Sequence, residues 1–104
     1  MLNWYEPLYI GDNVKKKVEK YRKNLDKGKL VPGVFLITLA SNGTDQLDII
    51  SSYYLLQNTV YQRCPMIVGI AKGYDEACEL LIRMTEESLT HTGQANIKEY
   101  LLQG

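Results

Sequence analysis

The chain has 104 residues, of which 45% are hydrophobic and 23% charged, and these values are typical of one globular domain. No apolar run is long enough to cross a bilayer, and the N-terminus, with Glu6 and Pro7 in its apolar part, does not predict a signal peptide. The two cysteines, Cys64 and Cys78, are too few for a disulfide framework. We therefore expect a single cytoplasmic domain over residues 1–104 that makes no membrane contact.

The net charge is zero, but positive and negative residues are separated along the chain. Residues 12–29 contain eight of the twelve basic residues and three of the twelve acidic ones, so this segment carries +5 and the remainder −5. This division predicts binding to an acidic partner or to another copy of the chain.

The basic segment predicts the first helix, which begins after a cap at Asp12 or Asn13 and ends at Gly28. One side of this helix is a narrow apolar stripe formed by Val14, Val18, Tyr21 and Leu25. The opposite side carries four lysines within an arc of about 60°. We call these four residues the lysine ridge: Lys16, Lys20, Lys23 and Lys27.

Several segments predict strands of one sheet. Residues 34–40 are apolar on both alternating faces, which is typical of a covered central strand. Asn42-Gly43 predicts a turn into a return strand over residues 46–51, where Asp48 indicates a sheet edge. Residues 66–71 predict a third strand with a packing notch at Gly69, and residues 7–10 are expected to add an edge strand.

Residues 52–62 fit either a short helix capped by Ser51 or Ser52 or a continuation of the preceding strand, and we favour the helix. The tyrosines of this region, Tyr53, Tyr54 and Tyr61, either line a binding surface or cover the sheet edge. We favour the second alternative because no RNA-binding motif accompanies them.

The strongest helix is predicted from Tyr74 to about Leu89. Its apolar residues span an arc of roughly 200°, about twice the width that a surface helix needs. Within this arc Leu81 is expected to be buried against the sheet. A short last helix is predicted over residues 96–103, with Asn96 and Glu99 spaced as a capping box.

These elements predict an α+β domain: a small, mostly antiparallel sheet of three or four strands packed with an N-terminal helix and C-terminal helices. A right-handed crossover through residues 52–62 places the strand at 66–71 on the far side of the strand at 34–40, which becomes central.

The glycines between this third strand and the long helix raise the question of a phosphate loop. Their spacing, Gly69-x-Ala71-x-Gly73, matches neither the dinucleotide fingerprint nor the Walker A loop. Asp75 and Glu76 in the first helical turn would repel a phosphate. We therefore expect no nucleotide and no other cofactor at this position.

Three segments carry a resemblance to known proteins: "ITLASNGTDQLDII", "PMIVGIAKGYDEACELL" and "TGQANIKEYL". With them the chain resembles a group of small bacterial proteins of uncharacterised function, from about Tyr9 onward. The resemblance implies a small cytoplasmic single-domain protein, and it implies no activity, cofactor or catalytic residue.

His91, Cys64 and Cys78 are the candidates for metal binding or nucleophilic chemistry. No pair among them has the short spacing of a zinc site, and no nucleophile motif surrounds a serine or cysteine. His91 is better explained as a helix-end residue favoured by the helix dipole, and Cys78 as a small buried side chain. We expect no metal site and no catalytic residue.

Three functional hypotheses remain open. The first is a non-catalytic interaction or regulatory domain that forms a homodimer or binds another protein, because the apolar surface exceeds what one short chain can cover. The second, which ranks below it, is binding of nucleic acid or an acidic partner through the lysine ridge. The third is an enzyme with an unrecognised site, and no residue pattern supports it.

Overall fold

The computed structural model describes residues 2–40, 47–93 and 97–103, which form one sheet between two layers of helices. The strands are β1 (Trp4–Ile10), β2 (Val34–Leu39), β3 (Leu47–Ser51) and β4 (Ile67–Lys72). The helices are α1 (Val18–Asp26), α2 (Asn58–Arg63), α3 (Tyr74–Thr92) and α4 (Ile97–Gln103). Short 3₁₀ helices precede α1 at Lys15–Lys17 and α2 at Ser52–Leu56. The predicted α+β class is confirmed.

The strands lie in the order β1-β4-β2-β3. Strand β2 is antiparallel to both of its neighbours, whereas β1 is parallel to β4, so the sheet is mixed. The predicted crossover to the far side of the first hairpin strand is confirmed, as are the edge strands at both ends. At one edge β1 begins at Trp4, three residues before its predicted start.

Each face of the sheet has its own core. The α1 face packs against α1, α2 and the 3₁₀ helices, and its largest fully buried residues are Val14, Leu25, Val34, Leu36, Ile67 and Ile70. The α3 face packs against α3 and α4 through Ile37, Val68, Ala71, Ala77, Leu80, Met84, Ile97 and Leu101. Alternation of the strand side chains between two apolar layers is what buries β2 and β4 on both sides.

Strand β4 contains a bulge next to Gly69, where α3 packs against the sheet. Ile37 pairs with Gly69 and Thr38 with Ile67, so Val68 is an extra residue without a partner in the ladder. A Cβ atom added at Gly69 would lie 3.2 Å from Ile37 and 3.3 Å from Leu80. The predicted packing notch is therefore confirmed, and it is filled by a side chain of α3.

The helix predicted over residues 52–62 is confirmed, but it is divided into a 3₁₀ helix and α2. The division lies at Gln57, which has an extended conformation. The start predicted for the first helix is wrong. No side chain caps it, and the chain first forms the 3₁₀ turn, so α1 begins only at Val18. The predicted turn at Asn42-Gly43 and the predicted cap at Asn96 lie outside the described residues.

The phase of α3 also differs from the prediction. Ala77, Leu80, Met84 and Ser88 are buried, whereas Leu81 is only half-buried. The line of contact with the sheet runs through residues at i, i+3, i+7 and i+11, and it leaves Leu81 at its margin. Helix α3 is also longer than predicted and ends at Thr92, where Gly93 adopts a left-handed φ of 71°.

Truncation of two adjacent leucines tests this phase. Leu80→Ala should lower the free energy of unfolding by about 2–5 kcal/mol, because it empties a buried site between helix and sheet. Leu81→Ala removes the same atoms from a half-buried position and should cost less than half as much. Urea unfolding at one low protein concentration measures both, and equal costs would contradict the phase.

Candidate functional site

The junction between β4 and α3 is occupied by a carboxylate of the chain itself. Glu76 Oε1 accepts a hydrogen bond of 2.9 Å from the Lys72 backbone N–H, and Oε2 accepts bonds from the backbone and side-chain nitrogens of Asn13. The Lys72 ammonium instead donates to the Pro32 carbonyl at 3.1 Å. A phosphate at this helix start would therefore meet the negative charge of the Glu76 carboxylate.

Gly11 makes room for this carboxylate. A Cβ atom at Gly11 would lie 2.1 Å from Glu76 Oε1, at the far end of a flexible side chain. The Gly11 N–H also donates to the Ile70 carbonyl at 2.8 Å. The loop after β1 is thus fastened to both β4 and α3.

A double-mutant cycle tests this arrangement. Gly11→Ala should displace the Glu76 carboxylate and cost about 1–2 kcal/mol of stability through the lost charge-assisted hydrogen bonds. Glu76→Ala should cost a similar amount, and the double variant should be little worse than either single one, because both changes remove the same bonds. Additive costs in thermal or urea unfolding would show that the two residues act independently.

All four residues of the lysine ridge are exposed, and within residues 2–40, 47–93 and 97–103 no salt bridge joins them to a carboxylate. The prediction that these four lysines share one helical face is only partly correct. Lys16 belongs to the 3₁₀ turn and Lys27 caps the end of α1, so only Lys20 and Lys23 lie within the α-helix. On the inner side, Val14 and Leu25 are buried, which points the ridge away from the core.

We predict that the lysine ridge does not bind nucleic acid tightly. If all four lysines contacted phosphates of duplex DNA, the logarithm of affinity would fall with that of salt concentration with a slope of about −3.6. Changing Lys20 and Lys23 to glutamine would then roughly halve the slope. Fluorescence anisotropy at several salt concentrations should instead detect weak or no binding near physiological salt. A tight complex that the double variant loses would contradict this prediction.

The candidate metal ligands and nucleophiles are not brought together. His91 is exposed in the last turn of α3 and stacks on Tyr100 at 5.7 Å between ring centres. Cys78 lies on the same helix, about 20 Å away along its axis, and Cys64 packs against the core of the α1 face. Burial raises the pKa of the Cys64 thiol, so the less nucleophilic protonated form is favoured. Across the described ranges no group of three residues could hold a metal ion.

The three tyrosines of residues 52–62 have different surroundings. Tyr61 is half-buried and its hydroxyl donates to the Asp26 carbonyl, so it ties α2 to the end of α1. Tyr53 and Tyr54 are exposed in the 3₁₀ helix. Of the three tyrosines in this region, only Tyr53 and Tyr54 are exposed enough to contact a partner.

A second tyrosine cluster, for which no sequence pattern provides a signal, fixes α4 beside β1. Tyr9 and Tyr100 donate their hydroxyls to one oxygen of Glu87, at 2.7 and 3.1 Å. Tyr5 donates to the Leu101 carbonyl at 3.0 Å. Burial and the bond to Glu87 raise the pKa of Tyr9, so its phenol remains protonated at neutral pH. The cluster is a structural anchor.

One side of α3 carries a row of exposed and half-buried residues that are mainly apolar. We call it the α3 stripe, and it consists of Tyr74, Cys78, Leu81, Ile82, Thr85 and Leu89. Tyr74 is 56% exposed, Ile82 58% and Leu89 46%. These residues lie on the side of α3 opposite to Arg83 and Glu87, which bond to β1.

The α3 stripe continues onto the sheet. The Tyr74 ring contacts the Phe35 ring of β2 edge-to-face, with 5.8 Å between centres. Leu47 and Ile49 of β3 face the same side and remain half-buried. Helix α4 is tied to β1 at the other edge of the sheet, and α3 covers β3 only in part, because Leu47 and Ile49 remain half-buried.

A cleft of about 360 Å³ opens on the α1 face, between β3 and α2. Its walls include Thr38, Asp48, Ile50, Val60, Arg63 and Pro65. In the sequence, Asp48 indicates only an edge strand, and no pattern marks Arg63 as part of a binding site. Their proximity depends on how α2 packs against the hairpin.

The chain matches no family model, no curated protein and no solved structure, so its function must be argued from these surfaces. Within the described residues, none of the helices combines the length and apolar character needed to cross a membrane.

Proposed function

We propose that this chain is a non-catalytic interaction domain of the cytoplasm that forms a homodimer through the α3 stripe. The observation that carries the proposal is the exposure of Tyr74, Ile82 and Leu89 along one side of a single helix. Isolated exposed apolar residues are common on protein surfaces, but a continuous row beside an incompletely covered strand favours a partner. Packing a partner against that row would remove its apolar surface from water, which is favourable.

The spacing of the stripe favours a second copy as that partner. When two identical helices pack antiparallel about a two-fold axis, residues equally far from the axis face each other. With the axis between Leu81 and Ile82, these two residues face each other across the interface. The same axis pairs the other stripe residues, Tyr74 with Leu89 and Cys78 with Thr85. The stripe is therefore complementary to itself in the antiparallel orientation.

The flanking charges are compatible with the same axis. Three carboxylates border the stripe on the outer side of α3: Asp75, Glu79 and Glu86. The two-fold relation places them at the heights of Ser88, Met84 and Ala77 of the second copy, so no carboxylate lies at the same height as another of the three. The antiparallel orientation also aligns the two helix dipoles favourably.

A charge placed near the axis tests the homodimer. Ile82→Glu would put two carboxylates beside each other in an apolar interface, and we expect at least a tenfold weaker association. Sedimentation equilibrium of the wild type and variant measures this. The matched control is Leu56→Glu, because Leu56 is 48% exposed but lies on the opposite face of the sheet. A monomeric wild type, or equal weakening by both variants, would refute the proposal.

Disulfide trapping tests the antiparallel register separately. In a background with Cys64 and Cys78 changed to alanine, chains with Tyr74→Cys and chains with Leu89→Cys should cross-link when mixed and oxidised. Neither should cross-link efficiently alone. A parallel pair would give the reverse pattern.

A second candidate function is binding of nucleic acid or an acidic protein through the lysine ridge. It is supported by the exposure of all four lysines and by the excess positive charge of residues 12–29. It ranks below self-association because outward-facing lysines on a surface helix need no ligand to explain them.

A further inference from the structure

The cleft between β3 and α2 combines two opposite charges with an apolar wall. Thr38 and Asp48 are cross-strand partners on β2 and β3, on the face turned towards α2. Arg63 lies in the last turn of α2. The apolar side is formed by Ile50, Val60 and Pro65. The cleft lies on the opposite face of the sheet from the α3 stripe, so its interpretation does not depend on the proposed dimer.

The two charges of the cleft are not used within the described part of the chain. Asp48 is half-buried, and no salt bridge joins either Asp48 or Arg63 to a described residue. A half-buried carboxylate that forms no salt bridge with a described residue is unfavourable, and a ligand that brings a cation would relieve this cost. The Thr38 hydroxyl, in a residue that is 2% exposed, adds a neutral polar group to the same wall.

We propose that this cleft binds a small zwitterion, namely an α-amino acid with a branched aliphatic side chain. Arg63 binds the carboxylate of the ligand, because a guanidinium offers paired donors to a carboxylate. Asp48 binds the ammonium group, and the aliphatic side chain lies against Ile50, Val60 and Pro65. A volume of about 360 Å³ is at the small end of ligand pockets, which suits a ligand of this size.

A ligand with one charge would form only one of the two ion pairs, and this favours a zwitterion over simpler molecules. The probes are therefore L-leucine, 4-methylpentanoate, which lacks the ammonium group, and 3-methylbutylamine, which lacks the carboxylate. In ¹⁵N-labelled protein we expect L-leucine to shift the amide signals of β3 and α2 saturably. Its affinity should be at least tenfold higher than that of either single-charge analogue, as expected from a lost charge-assisted hydrogen bond.

Two charge-neutralising variants assign the charges. In Arg63→Gln, L-leucine should bind at least tenfold more weakly and no better than 3-methylbutylamine. In Asp48→Asn, L-leucine should bind no better than 4-methylpentanoate. The matched control is Gln62→Ala, because Gln62 is the exposed neighbour of Arg63 and does not line the cleft. Its affinity for L-leucine should be unchanged.

The reactivity of the Cys64 thiol allows ligand binding to be measured on the wild-type protein. Its thiol lines the cleft, whereas Cys78 lies on the other face of the sheet. Saturating L-leucine should slow the reaction of N-ethylmaleimide with Cys64 several-fold and leave Cys78 unaffected.

Three results would overturn the proposal. They are absence of saturable L-leucine binding, signal shifts confined to regions away from β3 and α2, and equal affinity for L-leucine and either analogue.

Discussion

A sheet with apolar side chains on both faces needs a covering layer on each face, and this requirement governs the rest of the molecule. Strands β2 and β4 meet it over most of their residues, because α1 and α2 cover one face and α3 and α4 the other. Strand β3 does not, since all five of its residues are half-buried. Both the α3 stripe and the cleft adjoin this incompletely covered edge.

Polar contacts decide which edge of the sheet is covered. Along α3, Glu76, Arg83 and Glu87 all bond to β1 or to the loop after it, and they hold the polar side of the helix over that edge. The apolar outer side is therefore turned towards β3. On the other face, Asp26 has a similar role, because one of its carboxylate oxygens accepts bonds from Trp4 and Leu2 while its carbonyl accepts one from Tyr61. Hydrogen bonds at one edge thus leave the other edge open.

The spacing of apolar residues along the chain predicted most of this fold, because this spacing reflects which side of each element is buried. The strand apolar on both faces is central, the strand containing Asp48 is at an edge, and the wide apolar arc of α3 is exposed over its outer half. Contacts between distant residues could not be predicted. Nothing in the sequence relates Gly11 to Glu76 or Tyr9 to Glu87, and the cleft exists only after α2 packs beside β3. The prediction that Leu81 is buried was wrong, because an apolar arc of 200° does not indicate which part of the arc faces the sheet.

The bulge in β4 gives this strand one position at which its length can change. Deleting Val68 would make Ile67 and Gly69 consecutive partners of Thr38 and Ile37, so every other side chain would keep its face. Deleting Ile70 instead would move Val68 into the space beneath Leu80 and put a glycine in the core of the α1 face. A deletion at position 68 therefore preserves the facing of the strand and costs the buried Val68 side chain, whereas a deletion two residues later also changes the facing.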